Sequence, residues 1–144
     1  MALKLLILGG TSDGRRLAQA LQDDVRFEAL LSFAGRTSSL QVPNVPHRVG
    51  GFGGVQGLVD FLQRERIEVL IDATHPFAAQ MSHHAALAAQ RAALPLLRVE
   101  PEAWLPQAGD QWTSVADMQA AARALPAEPK RVFLTIGRLE VQAF

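Results

Sequence analysis

A mostly apolar run, Leu3-Lys4-Leu5-Leu6-Ile7-Leu8, leads directly into the turn Gly9-Gly10-Thr11-Ser12-Asp13-Gly14 and then into an amphipathic segment, Arg15 to Leu21. No other stretch restricts the fold so strongly. A buried strand, a glycine turn and a helix start, in that order, make the first βα unit of a parallel sheet. The same arrangement binds phosphate. Glycines let the backbone turn tightly and approach a ligand, and the unpaired N–H groups of the first helical turn face its negative charge. Against the dinucleotide pattern G-x-G-x-x-G, Gly9 and Gly14 match the first and third glycines, and Thr11 stands at the second. A threonine there keeps a hydroxyl donor for a phosphate oxygen, while its β-carbon holds a pyrophosphate slightly further off. The alternative is a glycine-rich turn that only joins strand to helix.

Apolar runs then alternate with helix-like stretches. Strands are expected at Leu3–Leu8, Phe27–Phe33, His47–Val49, Glu68–Asp72, Pro95–Val99 and Arg131–Ile136. Helices are expected from Gly14 to Gln22, from Val55 to about Arg66, and from beyond Phe77 to about Ala93. A last one runs from Ser114 to Leu125, capped by Thr113 or Ser114. Strands separated by helices at this spacing imply right-handed crossovers and a doubly wound, Rossmann-like α/β sheet. Ligands of such sheets lie beyond the carboxyl ends of the strands, so the loops there carry the functional information. Gly137-Arg138 has the look of a further strand-to-helix turn, with six residues after it. The expected organisation is therefore an amino-terminal lobe over residues 1–130 and the start of a second, truncated α/β lobe over 131–144.

Composition excludes several function classes. The 144 residues carry 14 basic and 14 acidic side chains, a formal net charge of zero that gives no general attraction to nucleic acid or to an anionic membrane. Without cysteine there is no disulfide, thiolate metal site or cysteine nucleophile. The apolar start is too short for a signal peptide or a membrane span, and a cytoplasmic protein is expected. His83 and His84 are adjacent on a helix and point in different directions, and without a third ligand at suitable spacing no metal site is expected.

The end of the second expected strand bears on cofactor choice. NAD-binding sites place an acid there, about 20 residues beyond the glycine motif, to hold the ribose hydroxyls. This chain has Ser32-Phe33-Ala34-Gly35-Arg36-Thr37 and no acid. A 2′-phosphate would repel a carboxylate and favour Arg36 with the hydroxyls of Ser32 and Thr37, which points to NADPH over NADH. The alternative is a solvated arginine after a strand. Gly50-Gly51-Phe52-Gly53-Gly54 suggests positive φ angles or backbone in contact with a ligand, or else plain flexibility. Phe52 either lies against a flat ring or plugs a gap between loops. In Asp72-Ala73-Thr74-His75-Pro76-Phe77, His75 is a candidate proton donor or caps the next helix with Pro76 in its first turn. Asp72 is better suited to binding the loop's own N–H groups.

Together these loops resemble the precorrin-6A reductase family of corrin-ring synthesis, including its cobalt-precorrin members. The resemblance rests on Ile7 to Arg15, Ala34-Gly35-Arg36-Thr37, Gly50 to Gly54 followed by Gly57-Leu58, Asp72 to Ala78, and Phe133-Leu134-Thr135-Ile136-Gly137-Arg138. Asp13 replaces a Glu common in the family. The resemblance implies two Rossmann-like lobes with NADPH and substrate between them, and reduction of a carbon–carbon double bond of the macrocycle to give precorrin-6B. It further implies that Gly9, Gly10, Thr11, Asp13 and Gly14 cradle the pyrophosphate, and that Ser32, Gly35, Arg36 and Thr37 hold the 2′-phosphate end. Gly51, Phe52 and Gly53 with Thr74, His75, Pro76 and Phe77 would line the nicotinamide side. Arg98 and Arg138 would anchor the carboxylates of the tetrapyrrole-derived macrocycle. His75 is the candidate acid, with solvent as the alternative source of the proton. Two rival readings are an atypical short-chain reductase, which the absence of tyrosine disfavours, and a non-catalytic NADP-binding module.

Overall fold

The computed structural model describes residues 1–35, 44–137 and 140–144. Five parallel strands form one sheet: β1 (Leu3–Leu8), β2 (Phe27–Phe33), β3 (His47–Val49), β4 (Val69–Asp72) and β5 (Leu96–Arg98). Their spatial order is β3-β2-β1-β4-β5. The chain winds outward from β1 to β3 and then crosses back to β4 on the other side of β1. That reversal places a topological switch point between the carboxyl ends of β1 and β4, where open α/β sheets hold their ligands. The doubly wound Rossmann-like expectation is met, as are the bounds of β1, β2 and β3.

Three helices cover the sheet: α1 (Ser12–Gln22), α2 (Gly54–Arg64) and α3 (Ala79–Ala92). The continuous apolar run of β1 is explained by burial on both faces. Leu5 and Ile7 pack with Ala18 of α1, Leu31, Phe33 and Ile71. Leu6 and Leu8 point the other way, against Leu58 and Leu62 of α2 and Ala85 and Ala88 of α3. The small alanine faces of α3 let it lie close to α2. Its end follows from local geometry: Ala93 adopts φ 53°, and the Leu94 N–H donates to the Ala89 carbonyl at 2.9 Å, which satisfies an orphan carbonyl before Pro95. The turn into β2 is fixed by Arg26, whose guanidinium and N–H both bond Asp24 and hold its carboxyl down at about 2.

Residues 103–144 form a compact unit separate from Met1–Glu102. It contains α4 (Met118–Arg123) and the short 3-10 turn Val141–Ala143. Two expectations are corrected here. The last helix begins at Met118, because Asp117 is its cap: extended backbone and a 2.7 Å bond from the Ala120 N–H to its carboxylate displace Thr113 and Ser114 from that role. Arg131–Ile136 is not a strand. Its β-branched and aromatic residues suit a pleated surface, but a strand exists only through a ladder, and the described residues of this unit contain no other strand to pair with. Phe133 is 90% exposed as a result.

Candidate functional site

Each glycine of the first turn has a distinct reason to be there. A β-carbon on Gly9 would lie 2.9 Å from Leu31 Cδ1 and 3.3 Å from the Ser32 carbonyl, so the turn can press against β2 only with glycine there. Gly14 faces the Ala73 β-carbon, which a Cβ of its own would meet at 3.1 Å; it brings α1 close to the end of β4. Gly14 thus has the helix-packing duty of the third motif glycine, and Gly9, at the first, lets the turn lie close against β2. Thr11, at the second, is the helix cap. Its hydroxyl accepts from the Gly14 N–H at 3.2 Å and donates to the Ala73 carbonyl at 2.9 Å. The hydroxyl proton expected to reach a phosphate is therefore engaged within the protein. Among the described residues, the N–H groups of Gly10, Thr11, Ser12 and Asp13 have no protein acceptor. This cluster of orphan donors at the start of an 11-residue helix, beside the switch point, can receive an anion. The Asp13 carboxylate pairs with Arg16 at 3.4 Å, so its contribution to an anion is its backbone N–H.

The β4 loop abuts this turn. The place a Cβ would take on Gly10 is 3.6 Å from His75 N and 3.7 Å from Thr74 Cα. Asp72, 3% exposed, accepts from the Thr74 N–H at 3.1 Å and from the Thr74 hydroxyl at 2.7 Å, as its position suggested. His75 does not cap α3. The chain makes one more turn, with the Ala78 N–H donating to the His75 carbonyl at 2.7 Å, and the helix starts at Ala79 with Ala78 at its cap. Pro76 occupies that turn, where its fixed φ fits the second position. The Phe77 N–H donates to His75 Nδ1 at 3.2 Å, which leaves Nε2 as the ring nitrogen without a partner among the described residues. The imidazole meets the Phe77 ring edge to face at 5.0 Å, and Phe77 is 60% exposed.

On the other side of the turn, the ends of β2 and β3 gather Ser32, Gly35 and the glycine loop around a residue that sequence reasoning missed. Arg48 donates from one terminal nitrogen to Ser32 Oγ and to the Gly50 carbonyl, both at 2.8 Å, and from the other to the Gly51 carbonyl at 3.3 Å. Its guanidinium lies 4.2 Å over the Phe52 ring and 5.1 Å from that of Phe61. Burial pushes its pKa below the usual arginine range, and the Arg64 charge pushes the same way. Phe52 packs edge to face on Phe61 of α2 at 5.2 Å. Gly50, Gly53 and Gly54 adopt positive φ angles, one of the uses expected of a glycine-rich loop. Gly57 belongs to the same unit, since a Cβ on it would overlap the Phe52 carbonyl.

The sheet order separates two groups expected on one side. Gly51 to Gly53 follow β3 and Thr74 to Phe77 follow β4, with the ends of β2 and β1 between them. Arg98 sits at the end of β5 beside Asp72 in register, and its guanidinium pairs with Glu100 at 2.6 Å. Arg36, Thr37 and Arg138 lie outside the described residues. No helix among the described residues is long and apolar enough to cross a membrane.

Sheet order and glycine-lined edge define a Rossmann-like α/β lobe. Residues 4–144 match the precorrin-6x reductase family (CbiJ/CobK), and the chain belongs to that family. It is 51% identical to a precorrin-6A reductase of Rhodobacter capsulatus over 98% of its own length and 56% of the relative's. With the Rhodococcus erythropolis precorrin-6A reductase it shares 45% identity, covering 98% of this chain and 57% of that one. A solved precorrin-6A reductase structure superposes with a TM-score of 0.94 at 51% identity, over 99% of this chain and 56% of that one. The chain thus spans just over half the length of the relatives it matches.

Proposed function

We propose that this chain is the cofactor-binding lobe of an NADPH-dependent precorrin-6A reductase. The observation that carries the reading is the row of orphan N–H groups at the Gly9–Gly14 turn, beside the switch point, in a chain 51% identical to a precorrin-6A reductase. The pyrophosphate would lie on that turn, held by backbone donors of Gly10 to Asp13, while Gly9 and Gly14 allow the close approach. The sheet order favours a split of the remaining loops. Ser32, Gly35, Arg36, Thr37 and Gly51 to Gly53 would serve the phosphorylated ribose, and Thr74 to Phe77 the nicotinamide.

Bound there, the reduced nicotinamide would deliver a hydride to one carbon of a macrocycle double bond, leaving NADP⁺, while a proton reaches the other carbon to give precorrin-6B. His75 presents Nε2 at the loop facing that end and is our candidate for handling the proton. Arg98 and Arg138 are candidates for the substrate's carboxylates; Arg98 would exchange its exposed Glu100 partner, an ion pair of the kind worth about 0–1 kcal/mol, for the ligand. A second lobe, supplied by the part of the relatives' length that this chain does not cover, would complete the cleft. The test is NADPH oxidation by the protein carrying its second lobe, with precorrin-6A as acceptor. Tight NADPH binding with an unreduced macrocycle would exclude the reductase activity.

A further inference from the structure

Arg48 is a half-buried cation for which the protein provides no counter-charge. Among the described residues no Asp or Glu pairs with it, and residues 36–43 and 138–139 contain no acid at all. Its bonds run to a hydroxyl and two carbonyls, all neutral. The Arg64 guanidinium lies 5.2 Å from the centroid of the same Phe61 ring, but its charge is paired with Glu65 at 3.1 Å, so it supplies Arg48 with no anion. A guanidinium in this setting keeps its charge at a cost that an anion would offset. It is also held rigidly. The Phe52 ring fixes the plane, and Ser32 Oγ and the Gly50 carbonyl fix one end of the fork. The guanidinium stands at the carboxyl ends of β2 and β3, with Nη2 3.7 Å from where a Cβ on Gly50 would lie, and among the described residues its Nε–H has no acceptor. Gly35, at φ 75°, turns the chain beside Val49 and Gly50. In doubly wound sheets this is where the ribose of a nucleotide seated on the first glycine turn arrives, and where a nearby arginine accommodates an added phosphate.

We propose that Arg48, braced by Ser32 and the glycine loop, is the fixed cation of a subsite for a phosphate monoester at the carboxyl ends of β2 and β3. The proposal rests on the nucleotide reading above and takes the ribose 2′-phosphate as its ligand. A preformed, unpaired guanidinium would discriminate nucleotides with that phosphate from those without it, independently of any nicotinamide.

The test compares binding of adenosine 2′,5′-bisphosphate and adenosine 5′-monophosphate by titration calorimetry, in the wild type, Arg48→Met and Arg48→Lys. Methionine keeps the apolar stem over Phe52 and loses the charge and the fork; lysine keeps the charge alone. The expected result is that the bisphosphate binds the wild type at least about tenfold more tightly, equivalent to 1.4 kcal/mol. That preference should vanish in Arg48→Met and fall partway in Arg48→Lys, with the monophosphate little changed. If both ligands weaken together, Arg48 only supports the loop and the subsite is refuted, with the nucleotide reading intact. A preference retained in full by the variants refutes it equally. A wild type that shows no preference overturns the NADPH reading itself, and the subsite with it. Should Arg48→Met not fold, Arg48→Lys alone decides: undiminished discrimination overturns the proposal, and a partial loss confined to the bisphosphate upholds it.

Discussion

Thr11 uses both capacities of its hydroxyl inside the protein, as acceptor for the Gly14 N–H and donor to the Ala73 carbonyl. It thereby fixes the start of α1 to the end of β4, the two elements that flank the switch point. Thr11→Val keeps the shape and removes both bonds, so we expect a loss of roughly 1–3 kcal/mol, the sum of a lost cap and an unsatisfied carbonyl. Urea denaturation measures it. Because the hydroxyl proton is already committed, NADPH affinity of the folded variant should change less than about threefold, under 0.7 kcal/mol. A large affinity loss with unchanged stability would instead give the hydroxyl to the ligand. Arg36→Ala should behave in the opposite way. If Arg36 meets the 2′-phosphate, NADPH binding weakens by roughly 1.5–3 kcal/mol while NADH binding and stability hold. Equal loss for both cofactors would exclude that role. Residue-level reading of the sequence reached Gly9, Gly14 and Asp72 because their duties follow from spacing along one chain. Arg48 escaped it: its partners Ser32 and Phe61 are 16 positions upstream and 13 downstream, and it takes the pairing of β2 with β3 to bring the first beside it and the packing of α2 to bring the second.

Among the elements, α2 shows how a loop of glycines acquires a definite shape. Gly53 caps the helix in the left-handed region at φ 79°, Phe52 folds over Phe61, and Gly57 admits the Phe52 carbonyl against the helix surface. Gly57→Ala should gain about 1 kcal/mol in helix propensity, yet the new methyl overlaps backbone that cannot swing away. We expect the overlap to win, with a net destabilisation of about 1–3 kcal/mol as in other overpacked sites, read from the denaturation midpoint. A more stable variant would mean that the loop yields freely, which would also weaken the case for Arg48 as a braced cation. Strands β1, β2 and β4 were legible in the sequence because burial on both faces leaves mostly apolar runs, interrupted at Lys4, Glu28 and Ser32 and ended at Asp72. Arg131–Ile136 has the same local character and is not a strand, since hydrophobic pattern reports a tendency to pair and says nothing of whether a partner is present. Helix ends were read within a few residues, except where Asp117 capped α4 later than the nearer hydroxyl residues.

At the scale of the molecule, the strand order sets the length of ligand the edge can hold. From β3 to β4 is three strand steps at about 4.8 Å, roughly 14 Å across the carboxyl edge, with the glycine turn between the two ends. An extended dinucleotide spans a distance of that order, so one molecule could touch Arg48 at one end and the His75–Phe77 pair at the other. The Phe77 ring at this edge is 60% exposed, and among the described residues its one aromatic partner is His75. The relatives are nearly twice as long as the region matched here, and the proposed cleft needs that second half. Binding and turnover should therefore separate. The 144-residue chain should bind one NADPH, seen as a saturable change in cofactor fluorescence, yet oxidise none when precorrin-6A is added. Joining the second half of the Rhodobacter capsulatus relative in the same polypeptide should restore oxidation without tightening NADPH much, because the glycine turn and the loops after β2 and β3, to which we assign the pyrophosphate and the ribose, all belong to this chain. Turnover by the short chain alone would show that the macrocycle is held and reduced on this sheet edge, and the two-lobed cleft would have to be abandoned.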